Sequence, residues 1–132
     1  MILQFFLLLV IQFGLVASAL AESTRLTGEA LREAVSDRTV LIETPIGSFP
    51  IRYKGDGTMA GQAPLFVASL GTQKDNGQWW IAGDRLCQRW HQWLYAKPYC
   101  FSLQRIGSTV HWLRDDGLSG TATIRVPMTR LR

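Results

Sequence analysis

The chain has no Cys-x-x-Cys pair, no Gly-x-Ser-x-Gly or Ser-x-x-Lys element and no phosphate-cradling glycine loop. It therefore carries no signature of thioredoxin-like redox chemistry, covalent haem attachment, serine acylation or nucleotide-phosphate binding. Histidine is scarce as well, with His91 and His111 the only two. One set resembles a metal site: Cys87, His91, Cys100 and His111. Its gaps of three, eight and ten residues match no standard zinc finger. His91 read alone is a general base, a metal ligand or a surface imidazole stacked among tryptophans. The acids Glu43, Asp56, Asp75, Asp84, Asp115 and Asp116 are the only source of a glycosidase-type carboxylate pair, and most sit in turn signals where Asp bonds its own backbone. No cofactor and no metal is expected, and the reading is non-enzymatic.

Runs of like charge are also missing. The 14 basic and 10 acidic residues give +4, with the basic ones dispersed from Arg25 to Arg132. A nucleic-acid binder would present a stripe or tail, so no nucleic-acid partner is expected. A moderately basic exported protein is one reading. Binding of an extracellular polyanion, such as a cell-wall polymer, a polysaccharide or lipid head groups, is the other.

What is present begins with an uncharged opening. Ile2 to Leu20 carry no charge, and the stretch closes with Ala17-Ser18-Ala19-Leu20-Ala21, small residues where a signal peptidase reads them. The prediction is a signal peptide over residues 1–21 and a single β-rich domain over 22–132. No Lys or Arg precedes the apolar run, so an uncleaved anchor stands as the alternative and would be the only membrane contact. The expected location is periplasmic or secreted.

Leu26, Ala30, Leu31, Ala34 and Val35 recur at three and four, predicting one short helix with Thr27 at its cap, Glu29 near its positive end and Asp37 at its close. Beyond Arg38 the pattern changes to β-branched and alternating runs. Turn signals at Gly55-Asp56-Gly57, Lys74-Asp75-Asn76-Gly77, Gly83-Asp84, Gly107-Ser108 and Asp115-Asp116-Gly117 separate them. The pattern predicts a mainly β fold: a small antiparallel meander or barrel of about eight strands, with the helix plugging one end.

Cys87 and Cys100 end one predicted strand and open the next. In an exported chain an even cysteine count reads as a disulfide. A closed loop of this size stabilises by roughly 3 kcal/mol in the chain-entropy account. The segment they bracket is rich in aromatic and basic side chains, and Arg89, Trp90, His91, Trp93, Tyr95, Lys97 and Tyr99 are the candidate binding residues. Two readings stand: an exposed binding surface, or aromatics covering the core of a small barrel.

Leu26-Thr27-Gly28-Glu29-Ala30-Leu31, Tyr53-Lys54-Gly55-Asp56-Gly57-Thr58-Met59-Ala60-Gly61, Asn76-Gly77-Gln78-Trp79-Trp80, Gly83-Asp84-Arg85-Leu86-Cys87-Gln88-Arg89-Trp90 and Tyr99-Cys100 follow in order. The series resembles a family of small secreted alphaproteobacterial proteins catalogued as a domain of unknown function. The resemblance implies an exported, cysteine-containing β-rich domain and brings no active site. The expected function is a cell-envelope binding or interaction module meeting an envelope polymer or a secreted protein. A lysozyme-inhibitor-like periplasmic protein and an envelope-polymer hydrolase are the alternatives.

Overall fold

The computed structural model describes Gly14 and residues 22–45, 47–64 and 71–125. The expected signal peptide with its cleavage point after Ala21, the apolar run Leu65-Phe66-Val67-Ala68 and the basic tail after Arg125 lie outside the described residues.

The fold is mainly β, built on a closed antiparallel barrel. Its strands are β1 (Thr24–Arg25), β2 (Arg38–Thr44), β3 (Gly47–Tyr53), β4 (Thr58–Gln62), β5 (Lys74–Ala82), β6 (Arg85–Trp90), β7 (Tyr99–Ile106), β8 (Thr109–Arg114) and β9 (Ser119–Arg125), with helix α1 (Gly28–Val35) between the first two. Strands β2 to β7 pair each with the next, β7 pairs with β8 and β8 with β9, and β9 returns to β2. Eight strands thus close the circle, which satisfies their backbone groups around the wall. The short β1 continues along β7 at Gln104 and Arg105, beyond the Tyr99–Phe101 stretch that β6 covers.

Period-two alternation decides which side chains fill the barrel. Phe49, Ile51 and Tyr53 on β3 point inward, as the sequence pattern predicts, and so do Leu86, Gln88 and Trp90 on β6 and Ala122 and Ile124 on β9. At one end, α1 lays Leu31 and Val35 into the barrel with no exposed surface. A helix of eight residues is marginal alone, so this apolar contact is what holds it. Thr27 occupies the N-cap position, but its side chain makes no capping bond. Beside α1, the Asp37 carboxylate accepts the Gly55 N–H at 2.8 Å and ties the helix exit to the β3–β4 turn.

The Lys74-Asp75-Asn76-Gly77 turn predicted from sequence is a correction: all four residues lie in β5. Asp75 is buried because its carboxylate has better partners than its own turn. One oxygen accepts the Asn76 N–H, and the other accepts those of Gln92 and Trp93, all at 2.9 Å. Gly77 serves close strand approach, since a Cβ there would stand 2.4 Å from the Arg89 carbonyl oxygen.

Candidate functional site

The end of the barrel opposite α1 carries the connection from β6 to β7, and the notable geometry is there. Trp93–Ala96 forms a tight turn in which Leu94, Tyr95 and Ala96 all have positive φ, at 54°, 58° and 55°. Left-handed backbone costs an L-residue with a side chain roughly 1–2 kcal/mol, so three in succession need external support. Asp75 supplies part of it by accepting the backbone N–H groups of Gln92 and Trp93, where the turn begins. Trp93 supplies more: its indole is buried and its Nε1 donates to the Thr72 carbonyl at 2.8 Å. The Trp93 ring meets Trp90 at 4.6 Å between centroids. Gly61 leaves room for both, because a Cβ there would come within 2.6 Å of Trp93 and 2.7 Å of Trp90.

The Cys87–Cys100 disulfide joins directly opposed residues of β6 and β7, with Cα atoms 4.0 Å apart. It lies on the outer face, since its neighbours Leu86 and Gln88 point inward. Trp80 is opposite Cys87 in the adjoining pair of strands. The bond fits an oxidising, extracytoplasmic location. It fixes the two strands from which the turn springs.

Inside the barrel lies a cavity of about 180 Å³. Its lining runs from Val35 on the plug to Trp93, Leu94 and Arg114 at the mouth. The lower wall residues Val35 and Leu86 are buried, whereas Ile42, Phe49, Leu94 and Arg114 near the rim are half-buried, so the cavity opens away from α1. The lining surface is predominantly apolar. Two polar side chains within are paired, Tyr53 donating its hydroxyl to the Gln88 side-chain oxygen at 2.6 Å, while the buried Trp112 Nε1 finds no partner among the described residues. Burial pushes the Tyr53 hydroxyl far above the usual tyrosine range, so it stays protonated and keeps donating.

At the rim, Arg114 forms a two-pronged bond to Asp116, at 2.8 and 2.7 Å, and its guanidinium lies 4.1 Å from the Tyr99 ring centre. Lys97 approaches the same ring at 5.4 Å. The hydrogen bond from Arg114 holds the Asp116 carboxyl down to about 2 and the pairing raises Arg114 in turn. Arg114 and Asp116 therefore form a fixed ion pair at the entrance of an apolar chamber.

The candidate residues read from sequence divide into three groups. Trp90 and Trp93 form the inner wall. Tyr95, Lys97 and Tyr99 stand around the mouth, with Tyr95 fully exposed. Arg89 and His91 are exposed away from the cavity. Sequence reasoning missed Leu94, Arg114, Phe49 and Ile42 as mouth residues. The inward alternation of Ile42 and Phe49 was the available signal, whereas the convergence of β8 on Tyr99 depends on barrel closure. Asp84 sits in the β5–β6 turn at the α1 end and Asp115 in the β8–β9 turn at the mouth, so these two acids do not converge. Among the described residues no cluster of three His, Cys, Asp or Glu side chains could hold a metal ion.

Comparisons with protein-family models, with curated proteins and with solved structures return no match.

Proposed function

We propose that this chain is an exported envelope protein whose barrel binds the apolar end of a small ligand, entered past the Trp93–Ala96 turn. The observation that carries this reading is the open apolar cavity of about 180 Å³. Protein interiors are close-packed, and a void of this size forfeits contact energy unless something fills it. A dry engineered cavity of about 150 Å³ takes up benzene, so a single ring or a short branched chain is the matching size. The uncharged opening segment and the disulfide support a periplasmic setting.

The test is thermal unfolding in the presence of toluene or hexanol. A ligand that binds only the folded state raises the melting temperature in step with its free concentration. Ala122 is buried in the cavity wall, so Ala122→Leu fills the chamber without an added polar group. The expected result is a ligand-dependent rise in the wild type and none in Ala122→Leu, whose own melting temperature is kept or raised. Equal rises in both proteins, or none in either, would remove the proposal.

A further inference from the structure

The outer face of the barrel carries a groove of different chemistry from the cavity, with Trp112 the one residue that lines both. Antiparallel register puts Arg25 opposite Gln104, Gln104 opposite His111, and His111 opposite Thr121. These four side chains form one row across β1, β7, β8 and β9. In the adjacent row Ser102 opposes Leu113 and Leu113 opposes Ser119, while Arg85 opens β6 alongside Ser102. The two rows line a surface groove of about 630 Å³.

The charge in this groove is one-sided. Arg25 and Arg85 both line it, and no acidic residue does. The ion pairs among the described residues are Arg32 with Glu29 and Arg114 with Asp116, so neither groove arginine is neutralised by one of them. Such groups attract anions, and the guanidinium fork matches the two oxygens of a carboxylate. Between the arginines and the far wall stand hydroxyls and an amide, from Ser102, Ser119, Thr121 and Gln104. These suit a ligand dense in hydroxyl groups. Leu113, half exposed, offers an apolar patch for the C–H face of a sugar ring.

We propose that this groove binds an acidic oligosaccharide, its carboxylates on Arg25 and Arg85 and its hydroxyls along the Gln104–Thr121 and Ser102–Ser119 rows. A single-stranded nucleic acid would need stacking aromatics along a basic track, and an anionic membrane would need several exposed apolar side chains around the charge. The groove offers His111 and Trp112, two neighbouring residues of β8 rather than a track of stacking rings, and one exposed apolar side chain, Leu113.

The test uses the full chain and isothermal titration with oligogalacturonate, against a neutral malto-oligosaccharide of equal length. The wild type should bind the acidic sugar and not the neutral one, more weakly as salt is raised. Arg25→Gln and Arg85→Gln should each weaken binding about tenfold. Ser119→Asp, which adds an acid to the wall, should weaken it too. Both arginines are exposed, so circular dichroism and melting should stay unchanged. Ala122→Leu should bind the sugar like the wild type, which separates this site from the cavity. No titration of the acidic sugar up to about 1 mM, equal binding of the neutral sugar, or an unaffected double variant of the arginines would overturn it. Binding to anionic phospholipid vesicles without binding the sugar would overturn it as well.

Discussion

At one end of the barrel Leu31 and Val35 of α1 are fully buried, while at the other Leu94 is half-buried and Tyr95 stands fully in solvent. The plugged end is made of a short amphipathic helix, a glycine-rich turn and a carboxylate clasp from Asp37, whose single positive φ of 57° contrasts with the run of three at the mouth. The mouth is made of strained backbone held from outside by Asp75, the Trp93 indole and the disulfide. The difference separates two kinds of stability. Apolar burial closes the first end and needs no partner. The second end keeps its shape through polar and covalent restraints, and leaves the apolar chamber reachable.

The largest expected effect breaks the plug. Leu31→Ala should lower stability by about 3–4 kcal/mol, the usual range for a buried leucine whose site collapses poorly. Urea unfolding with an unchanged slope measures it. A loss under about 1 kcal/mol would mean α1 does not carry the closed end. At the mouth the sign should reverse. Tyr95 packs on nothing, and glycine accepts positive φ freely, so Tyr95→Gly should raise stability by about 0.5–1 kcal/mol despite its looser unfolded chain. A stabilised glycine variant whose toluene response is unchanged would show that the strain shapes the turn and not the binding. The smallest effect concerns Asp116. Its carboxyl is held at about 2 in the fold, below the ordinary 3.8, chiefly by the Arg114 hydrogen bond. A depressed folded value contributes stability that is complete above about pH 4 and fades as the pH falls toward 2. Melting curves across that window should fall more steeply for the wild type than for Asp116→Asn, and the difference should shrink in salt because the pair is exposed.

Most of the architecture was legible in the sequence. The alternation of Phe49, Ile51 and Tyr53, the helix stripe ending at Val35, the turn at Gly55-Asp56-Gly57 and the cysteine pair all hold in the fold. Local signals succeeded where local energetics decide. They failed at Lys74–Gly77, because the partners of Asp75 lie 17 and 18 residues away and no turn propensity encodes them. The site was half legible. The aromatic stretch between the cysteines does build the mouth, yet Trp90 and Trp93 turn inward into space that Gly61 leaves on β4. Arg114 was invisible for the same reason: it reaches Tyr99 only once β8 has paired with β7.

One small element has a consequence for the protein's behaviour in concentrated solution. A sheet that ends in unpaired N–H and C=O groups is a template on which another chain can add a strand. In this closed circle the exposed template would be the upper part of β7, past the point where β6 turns away. The two residues of β1 occupy it, Thr24 against Arg105 and Arg25 against Gln104. Strand β1 thus seals a seam against edge-to-edge aggregation, and cleavage just after Arg25 would unmask it while leaving the eight paired strands intact.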